Sequence, residues 1–204
     1  MALTASEQAG RGRATGDGGI TLGQLTATFV PFGLLLSVAL LGAEVSQNLL
    51  LARVRASSWV ALALFGAAFC LYLWPGDSPR RRNLWLLFWT FAFLAYLVHF
   101  AYSVLGLYGG SLVAVWRSQR PLIAGSNFLV TGWWALDVLL AWLRRAPKWR
   151  SVPRTVIHVI ILVTFLVSSL VIFGGFVRIP AAVLAAAVVV CLAARLRRRL
   201  HPSP

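Results

Sequence analysis

Long apolar runs separated by short arginine-rich islands leave this 204-residue chain one class of fold. A hydrocarbon core about 30 Å thick is crossed by about 20 residues of helix. Inside that core every backbone N–H and C=O must find a partner within the protein, which favours helices over irregular chain. The runs fall at about 21–42, 58–74, 84–107, 124–143, 156–176 and 181–196. The expected fold class is therefore all-α, a polytopic transmembrane helix bundle of about six spans. Residues 1–19 read as a disordered polar N-terminal tail, 20–197 as the six-span transmembrane domain and 198–204 as a basic tail. Pro75-Gly76-Asp77 stops the second span, Gly109-Gly110 ends the third, and Gly174, Gly175 and Pro180 make a tight hairpin of the last two. The segment from Glu44 to Ser57 reads either as an interfacial helix or as an extension of the first span. The apolar run begins late, near Ile20, with no small-x-small site after it, so a cleaved signal peptide is not expected.

Mean hydropathy is +0.80, yet 19 Lys and Arg stand against five Asp and Glu. Nucleic acid is not the partner this excess points to. Basic residues flanking spans set topology and meet anionic lipid headgroups. With the N-terminus cytoplasmic, 14 basic residues fall inside and five outside. The inside set holds Arg11, Arg13, Arg80–Arg82, Arg144, Arg145, Lys148, Arg150, Arg154, Arg195 and Arg197–Arg199; Arg53, Arg55, Arg117, Arg120 and Arg178 lie outside. This positive-inside bias puts both termini in the cytoplasm and suits a multi-pass protein of the bacterial cytoplasmic (inner) membrane. The tryptophan-rich pattern fits too. Trp74, Trp85, Trp89, Trp142 and Trp149 fall near the inner interface and Trp59 and Trp116 near the outer one, where indole is half buried and half wet. Trp133 and Trp134, in mid-span, are read as lipid-facing or packed aromatics, or as a ligand wall.

Ionisable groups inside spans are expensive, so each is a functional candidate. Asp137 lies in the fourth span, on the edge of a stripe formed by Asn127, Thr131 and Trp134 on the helical wheel. It is either an acid/base group or a structural carboxylate, capping a neighbouring backbone break or paired with Arg144 or Arg145. His99 lies in the third span, flanked by Tyr96 and Tyr102 on a face of small residues. It either holds a ligand or relays a proton, or it bonds a neighbouring helix. At 1.5 Å per residue its depth differs from that of Asp137 by roughly 13 Å. His158 begins the fifth span and is expected near the headgroups. The candidate catalytic residues are thus Asp137 and His99, and the candidate ligand-binding residues Asn127, Thr131, Trp134, Tyr96, Tyr102 and His158.

No cofactor follows from these residues. A bis-His haem is disfavoured, because His99 and His158 differ in depth by roughly 20 Å at helical rise. A retinal Schiff base is excluded, since the lone lysine, Lys148, sits in a loop. A metal site would need three or more converging ligands, and the spans offer one Asp and two dispersed histidines. Cys70 and Cys191 form no CxxC and read as small buried hydrophobes. There is no GxSxG, HExxH or P-loop. Three classes of function stay open. The leading one is a non-catalytic subunit, assembly factor or small-ligand-binding component of a membrane complex, with a membrane-protein partner. The second is a membrane-embedded enzyme on a lipid or isoprenoid, using Asp137 as acid/base within an aromatic lining. The third is a small transporter or channel, which would need a polar path across several helices.

Overall fold

A computed structural model describes residues 19–119, 121–143, 150–172 and 178–200. The N-terminal tail, Arg144, Arg145, Lys148, Trp149, Gly174, Gly175, His201 and the last residues of the basic tail lie outside the described residues. Among the described residues all regular structure is helical. Six helices are long and apolar enough to cross a membrane. The helices are α1 (Leu22–Ala43), α2 (Leu49–Leu73), α3 (Pro79–Ala101), a short α4 (Leu112–Ser118), α5 (Pro121–Trp142), α6 (Val152–Val167) and α7 (Arg178–Leu200). Two helices end in wider π-turns, α3 through Tyr102–Leu107 and α6 through Ser168–Ile172.

Side-chain caps fix where the helices begin. Thr21 and Gln24 form a reciprocal capping box on α1, with Gln24 N–H donating to Thr21 Oγ1 (3.2 Å) and Thr21 N–H to Gln24 Oε1 (3.0 Å). Asn48 caps α2, Ser78 caps α3 and Ser151 caps α6; in the last two a proline follows in the first turn, where its missing N–H costs nothing.

The segment 44–57 is neither an interfacial helix nor a continuation of α1. Its last nine residues are the first turns of α2, which starts at Leu49 rather than near Ser58. Polar residues there do not break the helix because their side chains bond locally. Ser57 Oγ donates to Arg53 O (2.7 Å), Ser58 Oγ to Arg55 O (2.8 Å), and Arg53 pairs with Glu44 (2.6 Å). The turn after α3 uses Gly109 and Gly110 at φ +58° and +82°, where a Cβ would be strained.

Contacts define the two ends of the bundle. At the basic end Asn83 Nδ2 donates to Gly19 O (2.9 Å), Arg150 Nη2 donates to Trp74 O (2.7 Å), and Arg198 lies against Gly76. At the opposite end the guanidinium of Arg53 lies over the Tyr102 ring, and Gly106 receives Leu50. The centre is built from α2 and α3, which pack most extensively on each other, with α1, α5, α6 and α7 around them. The core is aromatic: Phe65, Phe69 and Tyr72 from α2, Trp85 and Trp89 from α3, and Trp134 from α5. Helix α7 joins through Ala181, Leu184, Val188 and Cys191, a face repeating every three or four residues. Of the five alanines in its first half, Ala181 is the one fully buried.

Candidate functional site

A closed polar cluster sits inside the aromatic core toward the basic end. Asp137 comes from the last turns of α5, and Arg154 and His158 from the first two turns of α6. The Ser151 cap and Pro153 set the start of α6, which turns the face Arg154, Ile157, His158 and Ile161 inward. Arg154 Nε donates to Asp137 Oδ1 (3.1 Å) and Oδ2 (3.3 Å), and Nη2 lies 3.1 Å from Oδ1 as an ion-pair contact, without a hydrogen bond among the described residues. Trp89 Nε1 donates to Oδ2 at 3.0 Å. The side chains are 3% and 8% exposed for Arg154 and Asp137. Neither charge could be held here alone, because stripping an ion of water costs several kcal/mol that only a close, well-bonded partner offsets. The Trp85 ring adds a cation–π contact, 4.6 Å from the Arg154 guanidinium carbon.

His158 is fixed by chemistry as well as packing. Its Nδ1 lies 2.7 Å from Arg154 O, which can only accept, so Nδ1 carries the proton. Its Nε2 lies 3.1 Å from Trp85 Nε1, which can only donate, so Nε2 is the bare acceptor. The ring is therefore the neutral Nδ1–H tautomer with both nitrogens engaged. It is fully buried and sandwiched between Trp89 (centroids 4.1 Å apart, 7° between planes) and Tyr72 (4.4 Å, 15°). Tyr72 in turn shares a 2.6 Å hydrogen bond with Thr155, tying α2 to α6.

A second polar seam runs toward the opposite end, between α3 and α5. Tyr96 Oη shares a hydrogen bond with Thr131 Oγ1 (2.9 Å) and donates to Asn127 O (3.4 Å). Asn127 Nδ2 donates to Gln119 Oε1 at 3.3 Å. Trp134 joins the two regions, its ring centroid 5.5 Å from that of Tyr96 and 4.8 Å from that of Trp89. Its indole N–H is buried and has no acceptor among the described residues. The stripe Asn127, Thr131 and Trp134 thus meets α3 along its length, and Asp137 closes its end. His99 belongs elsewhere: its Nδ1 bonds Val54 O of α2 at 2.8 Å, which makes Nδ1 the protonated nitrogen. Tyr102 sits under Arg53 of α2, 5.7 Å from its guanidinium carbon. The histidine that keeps a ring nitrogen without a hydrogen bond among the described residues is His99, through Nε2.

Several placements differ from the expectations. Asp137 takes Arg154 as its partner, while Arg144 and Arg145 lie outside the described residues. His158 is sealed in the core instead of lying among headgroups. Trp85 and Trp89 are 2% and 0% exposed, so they are core residues and not part of an interfacial belt. The missed residue is Arg154, counted as a loop cation. The signal that could have found it is the inward face of α6, on which Arg154 falls in register with His158. No three His, Cys, Asp or Glu side chains gather among the described residues. An apolar groove of about 530 Å³ lies between α2 and α7, lined among others by Trp59, Leu62, Gly66, Cys70, Pro180 and Leu184. Asp137 and His99 do not line it. Comparison with known protein families, with curated proteins and with solved structures finds no match for the chain.

Proposed function

We propose that this chain is a non-catalytic component of a membrane complex, a subunit or assembly factor, seated in a bacterial cytoplasmic membrane with its basic end on the cytoplasmic side. The observation that carries this reading is the closure of the Asp137 cluster. Asp137 is the carboxylate within the spans, and both its oxygens are held by Arg154 and Trp89. A general acid or base must come within hydrogen-bond reach of its substrate. Asp137 could do so only by leaving an ion pair whose rupture costs about 3–5 kcal/mol. His158 has no ring nitrogen to offer, and the groove between α2 and α7 reaches neither Asp137 nor His99. Polar groups so engaged hold helices together. The basic end, with Arg80–Arg82 and Arg195–Arg198, supplies a charged rim for an acidic partner.

The test is purification of the tagged full chain in nanodiscs followed by native mass spectrometry. A stoichiometric membrane-protein partner is expected, with Asp137→Asn lowering thermal stability and partner recovery together. A lone chain that turns over a lipid or isoprenoid, with Asp137→Asn abolishing turnover at unchanged melting temperature, would replace this reading by the acid/base enzyme. A lone chain in proteoliposomes that carries solute flux lost in the same variant would replace it by the transporter.

A further inference from the structure

Four arginines from separate parts of the chain meet at the turn between α2 and α3. Arg81 comes from the first turn of α3, Arg150 from just before α6, and Arg195 and Arg198 from the last turns of α7. Arg81 Nη1 donates to Pro75 O at 2.8 Å, and Arg150 Nη2 donates to Trp74 O at 2.7 Å and Gly76 O at 3.3 Å. Gly76 stands at φ +93° and presents a bare face. A Cβ there would lie 3.6 Å from Arg81 Nη1 and 3.7 Å from Arg198 Nη1.

The turn carbonyls use only part of this donor set. Arg81 Nε, Arg81 Nη2 and Arg150 Nε are shielded from solvent and donate to nothing among the described residues. Folded proteins leave few buried donors unmatched, and a charged one is costlier than a neutral one. Positive charges also crowd one another here. Burial first, then the neighbouring Arg195 and Arg81 guanidiniums, push Arg150 below the ordinary arginine range, and Asp77 pulls it back only in part. That aspartate is itself 3.4 Å from Arg82 Nε.

We propose that this arginine pocket at the basic end binds a phosphate-bearing anion, either the headgroup of an anionic phospholipid or a soluble phosphate. Three open donor nitrogens on two guanidinium forks call for one acceptor with several oxygens, and a phosphoryl group matches such forks in bidentate fashion. The pocket lies at the ends of α2, α3 and α7, beside the half-exposed Trp74, the level at which indoles and basic residues meet headgroups. The inference stands on the pocket alone and does not depend on whether the core cluster is catalytic.

The test uses the full chain in detergent and in nanodiscs of phosphatidylcholine with or without phosphatidylglycerol. Phosphatidylglycerol is expected to raise the melting temperature and to stay bound in native mass spectra. Arg195→Gln with Arg198→Gln removes two cations without touching a turn carbonyl, and should weaken binding about tenfold or more, the effect of losing one charge-assisted hydrogen bond or several. Arg81→Gln should act likewise, while Arg197→Gln, an exposed neighbour, should not. Loss of binding in either pocket variant, with helix content retained by circular dichroism, supports the site. Inorganic phosphate reproducing the shift in detergent also supports it and assigns the source to soluble phosphate. No shift with either probe, or undiminished binding in both pocket variants, overturns it.

Discussion

Removing one partner of the buried ion pair gives the sharpest test of how this bundle is held together. Arg154→Met keeps most of the volume and the contact with Trp85 but leaves Asp137 with one donor, the Trp89 N–H. At the observed 3.1 Å, and an effective interior dielectric of about 20, the lost attraction is about 5 kcal/mol. Much of that only offsets the cost of burying both ions, so the pair as a whole is worth little, while a half-pair is expensive. Rupture should cost about 3–5 kcal/mol, which for a chain of this size lowers the melting temperature by about 6–20 °C. Adding Asp137→Leu to Arg154→Met removes the stranded charge, and the double variant should return to within about 1–2 kcal/mol of the parent. Thermal unfolding of the four proteins of this cycle, followed by circular dichroism in one detergent at neutral pH, gives the coupling directly. A double variant as unstable as the sum of its singles, or Arg154→Met within about 0.5 kcal/mol of the parent, would refute the reasoning.

Two indoles that differ in hydrogen bonding should respond differently to one change. Trp89→Phe loses a bond to a carboxylate and should cost about 1.5–3 kcal/mol more than Trp134→Phe, which leaves a similar cavity but discards an N–H with no acceptor among the described residues; equal losses in the same unfolding assay would contradict the assigned geometry. His158→Phe keeps the stack between Trp89 and Tyr72 but takes away the Nε2 that accepts from the Trp85 N–H, and should lower stability by about 1–3 kcal/mol with near-ultraviolet circular dichroism changed at the tryptophan bands. At Gly66 a Cβ would meet the Leu184 side chain, Cδ1 at 3.0 Å and Cγ at 4.0 Å, the far end of a flexible residue. Gly66→Ala should therefore fold normally, while Gly66→Ile should separate α2 from α7 at a cost of about 1–3 kcal/mol, visible as a lower melting temperature.

The six spans were legible because length and hydropathy are local properties, and the bilayer imposes them on each segment separately. The candidate site was legible only as a set of residue types. Asp137 stands out because a carboxylate in an apolar run is rare, but its partner does not. Arg154 lies close enough to the basic connection after α5 to pass for one more topology-setting charge. Its burial depends on Ser151 and Pro153 starting α6 just before it, and on the direction in which that helix faces. The same blindness put Trp85 and Trp89 at an interface: their distance from the end of the span suits headgroup level, while the Asp137 and His158 side chains that draw them inward lie far off in sequence. Asn127, Thr131 and Trp134 were readable as one stripe because a helical wheel needs no knowledge of neighbours. That His99 and Tyr102 answer to α2 required the packing of α2 on α3. The start of α2 was missed for a local reason, since Ser57 and Ser58 look like a break unless their bonds to preceding carbonyls are anticipated.

Helix α1 has a consequence for anyone who wishes to handle this protein. Ala39 is its one side chain in the aromatic interior; Thr28 and Ala43 are buried as well, and Phe32, Leu35 and Leu36 pack against that interior from outside. Its other side, with Leu22, Val30, Leu34, Val38 and Leu41, is left to the hydrocarbon. The remaining helices hold the Asp137 cluster among themselves, and α1 packs on α2 and α3 without contributing to it. Reporters, tethers or cross-linkers placed along its outward side can interrogate the bilayer and neighbouring proteins while the charged interior stays undisturbed.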